Sequence, residues 1–143
     1  MDDTNSKYNF NQLLTARNQS RPARTVEIFG WIILLESVVI LFFPHFVASV
    51  LHMPELNLQG ANFFRLAGLL IGGLGMLYIV SGRLNASGFV FASLLDRPLV
   101  PFIMLILWYV DVIPGTLALA FAIQDGASFL WTLHAWKREY QYP

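Results

Sequence analysis

The sequence predicts an all-α protein, a polytopic bundle of four transmembrane helices with the N-terminus and C-terminus both cytoplasmic. Three observations predict it. Hydrophobic residues make up 56% of the chain and charged ones only 13%, at a mean hydropathy of +0.56, more apolar surface than one small soluble core can enclose. Four stretches approach the roughly 20 residues a helix needs to cross a hydrocarbon layer of about 30 Å. Basic residues gather in alternate segments between those stretches.

Taken in order, residues 1–24 form a polar arm, residues 25–137 the bundle and residues 138–143 a C-terminal tail. The arm opens with Asp2 and Asp3 and mixes Asn5, Asn9, Asn11 and Gln12 with Tyr8, Phe10, Leu13 and Leu14, a composition suited to a segment that folds against something else. The first apolar run starts only near Thr25, too late for a secretory signal peptide, and reads as an uncleaved anchor. The spans are expected at about 26–43, 61–81, 94–113 and 115–136. Pro44 closes the first, Gly60 precedes the second, and Ile113-Pro114-Gly115 turns tightly between the third and fourth, making those two antiparallel neighbours. The third is the least regular, since Asp96, Arg97, Pro98 and Pro101 crowd its start and Asp111 its end. A re-entrant segment is the alternative there.

Lys7, Arg17, Arg21 and Arg24 precede the first span, Arg83 and Arg97 flank the middle loop, and Lys137 and Arg138 follow the fourth. The other two loops have neither Lys nor Arg, so the arm, the middle loop and the tail are placed inside. Trp131, Trp136, Tyr140 and Tyr142 then form an inner aromatic belt, with Trp108 and Tyr109 at the outer face. His45 to Met53 has the spacing of a short amphipathic helix on the outer surface, and the middle loop with Phe89, Phe91 and Leu94 is expected to lie similarly on the inner one.

Charges within spans are costly and draw attention first. In the second span Ala61, Arg65, Gly68, Gly72, Gly75 and Gly82 share one helical stripe, which turns Arg65 toward protein and offers Gly68, Gly72 and Gly75 for close helix packing. The fourth span carries Gly115, Ala118, Ala122, Asp125 and Thr132 on a comparable stripe, with Gln124 beside it. At about 1.5 Å per residue, Arg65 lies about 6 Å below the outer surface, Glu36 about 12 Å, Asp111 about 3 Å and Asp125 about 15 Å. The expected centre is thus a polar cluster of Glu36, Arg65, Asp111 and Asp125, with Arg65 paired to Glu36. Its preferred role is to clamp the helices, and its rival role is a proton or cation path or a small-ligand site.

Zero net charge and no interleaved basic and aromatic groove argue against nucleic acid. Without cysteine there are no disulfides, thiolate metal sites or cysteine nucleophiles. His45 and His52 sit outside and His134 inside, so no pair faces across one haem. His45, His52 and Glu55 match no specific metal motif. No catalytic constellation, metal or cofactor is therefore assigned, although contact with lipid or a pigment is open.

Phe64-Arg65-Leu66-Ala67-Gly68-Leu69-Leu70, followed by Gly75-Met76-Leu77-Tyr78, Arg97 at the opening of the third helix, and Asp125 with Trp131 in the fourth, resemble the small DoxX-like four-helix proteins of bacterial inner membranes. The resemblance spans about Thr25 to Lys137. It implies a small helical bundle, with Glu36, Arg65 and Asp125 as shared polar positions, and some members are implicated as membrane subunits of quinone-linked oxidoreductases. The functional expectation is an accessory or assembly subunit of a larger complex, respiratory or photosynthetic, in a bacterial cytoplasmic or intracytoplasmic membrane. Its partners would be the lipid bilayer and other membrane subunits met through the arm and the helix faces. A proton-coupled transporter or ligand-binding membrane protein is the alternative, and a quinone-linked redox subunit the third.

Overall fold

The computed structural model describes residue 11, residues 13–16 and residues 18–140. Most of the polar arm, including Lys7, Tyr8, Phe10 and Arg17, and Tyr142 of the tail lie outside them. The described chain is all-helical, with α1 Arg21–Phe42, α2 Pro44–Val50, α3 Leu58–Arg83, α4 Ser87–Asp96, α5 Leu99–Tyr109 and α6 Gly115–Tyr140. Four stretches are long and apolar enough to cross a membrane: α1, α3, α4 with α5 taken together, and α6. These are the dimensions of a multi-pass membrane protein.

Local chemistry sets the boundaries. Ser20 caps α1 by accepting the Ala23 N–H, and Pro22 fills the first turn, where its missing donor costs nothing. Phe43, at φ −128° and ψ 51°, is driven out of helical geometry by the following Pro44, which then opens α2. Asn57 caps α3 through a 2.7 Å bond from the Gly60 N–H. Three helix ends share one stop. His52, Asn85 and Asp111 take left-handed φ values of 54°, 56° and 57°, and at each the backbone closes a pair of reverse bonds. Those after α3 are Asn85 N to Gly82 O at 3.1 Å and Ala86 N to Ser81 O at 3.0 Å, the Schellman arrangement. Asp111 is thus a surface stop residue after α5, not a member of a buried cluster.

The third span starts earlier than expected, at Ser87, and ends at Tyr109. Arg97 and Pro98 break it in the middle instead of opening it. Neither Pro98 nor Pro101 has an N–H to donate to the preceding turn, and Val100 N closes a tighter bond to Arg97 O at 3.3 Å. Phe89, Phe91 and Leu94 accordingly belong to the first half of this span, not to a surface loop.

α1 is the hub. It packs along α3, meets α6, and touches α2 and α4, whereas α3 meets neither α5 nor α6. Gly68, Gly72, Gly75 and Gly82 of α3 are buried against α1, which contributes Gly30 in return. A β-carbon on Gly75 would sit 2.9 Å from Leu34 N and 3.0 Å from Gly30 O, so the two backbones nearly touch. The apolar core of Ala23, Val26, Phe29, Tyr78 and Val90 lies where α1, α3 and α4 converge. Tyr78 sits edge-on to Phe29 and Phe89, with centroids 5.5 and 5.0 Å away. The described part of the arm is fastened to the same end: Arg83 Nη1 donates to Leu13 O at 2.8 Å, Gln19 Nε2 to Gly82 O at 3.0 Å, and the Ser20 hydroxyl to Asn85 Oδ1 at 2.7 Å.

Candidate functional site

Three polar centres occur in the bundle. The deepest belongs to Arg97, whose side chain is fully buried. The break between α4 and α5 turns it inward. Nη1 donates to Ser128 O at 3.2 Å and to Thr132 Oγ1 at 2.9 Å, both on α6. The guanidinium carbon lies 4.2 Å from the centroid of Phe29 on α1 and 5.1 Å from that of Tyr78 on α3. One cation therefore touches all four spans. The Thr132 hydroxyl, itself buried, shares a 2.9 Å hydrogen bond with Thr25 Oγ1, which lies 2.8 Å from Pro22 O. Arginine can only donate and each hydroxyl has one proton, so the chain runs from Arg97 through Thr132 and Thr25 to the Pro22 carbonyl. Nε and Nη2 have no partner among the described residues. Asp125 lies one and two turns before Ser128 and Thr132 on the same face of α6.

The second centre is the pair Glu36 on α1 and Gln124 on α6, with Gln124 Nε2 donating to Glu36 Oε2 at 3.0 Å. It sits on a cleft of about 330 Å³ walled by Leu35, Val39, Ala120 and Phe121 and roofed by Phe46 and Val50 of α2. The third is beside the end of α3, where Arg83 Nε and Glu27 Oε1 form a 2.8 Å ion pair. Gln19 and Trp31 donate to the same carboxylate, at 2.9 and 3.4 Å.

The expected pairing of Arg65 with Glu36 is not formed. Arg65 donates through Nε to Leu41 O and through Nη1 to Asn62 Oδ1, both at 3.2 Å, so its charge is spent on a helix-end carbonyl and a neighbour on its own helix. The structure brings Glu36 of α1 against Gln124 of α6, the neighbour of Asp125 in the chain, and leaves Arg65 and Asp111 outside that pair. Arg97, Glu27 and Arg83 were not singled out from the sequence as site residues. Arg97 stands beside two prolines and an aspartate, which reads as a loop, and Glu27 and Arg83 lie at helix ends where charge is ordinary. His45 and Glu55 line a surface hollow of about 380 Å³, and no group of three or more metal-ligating side chains gathers among the described residues.

No protein-family model, curated protein or solved structure matches the chain.

Proposed function

We propose that the chain is an accessory, non-catalytic subunit of a larger complex in a bacterial cytoplasmic or intracytoplasmic membrane, of respiratory or photosynthetic type, and a DoxX-like protein. The observation that carries this reading is α5: none of its eleven residues is buried, and it rests only on α6 and the end of α4. A span held on one side presents the rest of its surface, including Phe102, Ile103, Ile106 and Trp108, to lipid or to a neighbouring helix, and aromatic side chains are the ones most enriched where proteins meet. The Arg97 centre agrees with a supporting role, because its charge is used to tie the four spans. Tyr78 and Arg97, two of the positions quoted for the DoxX-like resemblance, meet at that centre from the second and third spans. Extraction in mild detergent followed by native electrophoresis tests the reading. A 16.2 kDa chain running only with large partners, and released by Phe102→Ala with Ile106→Ala, is the expected result. Migration of the native chain alone overturns it.

A second reading, a proton or cation relay, is favoured by Asp125 standing next to Gln124, which holds Glu36, and one turn before Ser128, whose carbonyl holds Arg97. Asp125→Asn keeps the shape but cannot titrate. Loss of pH-gradient-driven flux in liposomes, with folding retained, would support the relay.

A further inference from the structure

We infer that the cleft beneath α2 is a lipid-side binding site for a small amphiphile with a cationic, hydrogen-bond-donating head, an alkylammonium in the simplest case. The inference depends on neither reading above. The cleft is a framed cavity, not a bare helix face. α1 and α6 form its walls, α2 lies across it, and the far end of α2 is pinned by the Thr116 hydroxyl, which donates to Leu51 O. Its volume of about 330 Å³ is at the small end of ligand sites, enough for a short alkyl chain. The lining is aliphatic and aromatic except for two side chains, Glu36 and Gln124. Phe46 and Val50 at the roof are well exposed, so the opening faces the acyl region and a tail can enter sideways.

The head is specified by what those two side chains still offer. Gln124 Nε2 holds Glu36 Oε2 at 3.0 Å; this fixes the carboxylate and leaves Glu36 Oε1 and Gln124 Oε1 as acceptors. No ion pair involves Glu36 among the described residues, and Arg65 is committed to Leu41 O and Asn62. At about 1.5 Å per residue Glu36 lies about 9 Å from the end of α1, and a carboxylate at such depth in low dielectric is balanced best by a cation that also donates hydrogen bonds. One carboxylate and one amide are too few ligands for a metal ion. An anionic head would meet the Glu36 carboxylate, and a tail without a head would leave both acceptors unmet.

The test uses the full chain in lipid nanodiscs with three photoreactive probes of equal chain length, carrying an amine, a hydroxyl or a carboxylate head and a diazirine in the tail. The amine probe should label peptides from α1, α2 and α6 at least tenfold more than either of the others, and excess decylamine should compete while decanoate should not. Glu36→Gln should abolish that preference. Val50→Trp, which blocks the mouth without touching the carboxylate, should reduce labelling with helicity and monodispersity unchanged. Equal labelling by the three heads, or labelling by the amine that survives both substitutions in folded protein, overturns the site.

Discussion

At the scale of single residues, the chain separates charges that fasten from charges that face a cavity. Arg97 fastens. A guanidinium is flat and can lie over two rings while its edge donates to α6, and lysine, with one compact ammonium, cannot do both. Arg97→Lys keeps the charge, yet should lower stability by about 2 kcal/mol, read as a lower thermal midpoint in detergent; an unchanged midpoint would show that charge alone matters. Arg65 and Glu36 share no hydrogen-bond partner, so Arg65→Leu and Glu36→Gln should be additive. Their coupling in a double-mutant cycle should stay below about 0.5 kcal/mol, and a larger value would restore the pairing read from helical depth. That reading rested on rise per residue, which places Glu36 and Arg65 in the same outer half but says nothing about which way each turns. Arg65 finds acceptors nearer by, at Leu41 and Asn62. Arg97 was illegible for a related reason: prolines at 98 and 101 mark both the end of a helix and a break inside one, and only the packing of Phe29 and Tyr78 decides between them.

At the scale of elements, the four spans were readable because length and apolarity alone select membrane helices. The start of the third was not readable, since its charged, proline-containing centre hides the continuity of Ser87–Tyr109. The α3 stripe is visible as glycines three, four and seven apart. Its counterpart Gly30 is not, because a lone glycine has no period. Two glycines on α3 make a matched test of how closely α1 and α3 approach. At Gly73 an added methyl meets nothing within 4 Å, so Gly73→Ala should be neutral or stabilising by up to about 1 kcal/mol through helix propensity. At Gly75 the same methyl meets two backbone atoms that cannot rotate away, and Gly75→Ala should cost roughly 1 to 3 kcal/mol by forcing the helices apart. Equal melting of the two variants would mean that the pair is looser than the structure shows.

At the scale of the whole molecule, the direction in which the helices run turns on the third span. Taken as one crossing, α4 and α5 supply 23 residues, about 34 Å of helix at about 1.5 Å per residue, enough for a hydrocarbon layer of about 30 Å. Taken as a re-entrant hairpin broken at Arg97 and Pro98, they would return the chain to its starting side, and α6 would run the other way. The contacts with α6 suit the crossing: Phe91 meets Trp136, Arg97 meets Thr132 and Ser128, and Trp108 lies beside Gly115, so α4 and α5 run in one direction along it. The basic residues remain consistent after Arg97 is withdrawn from the loop count as a buried side chain. Arg21 and Arg24 begin α1, Arg83 ends α3, and Lys137 and Arg138 end α6, while the segments at 43–57 and 110–114 carry no Lys or Arg. With four crossings all five cations lie on one side, the side that the positive-inside rule expects to be cytoplasmic. With three crossings and a hairpin, Lys137 and Arg138 would be translocated against that bias. A reporter fused after Pro143 should therefore be active only as a cytoplasmic fusion, and one inserted beside Leu56 only as an external fusion. An external C-terminus with an external Leu56 would convert the third segment into a hairpin. It would also reverse α6, and the ammonium cleft, set between the outer halves of α1 and α6, would lose one of its walls.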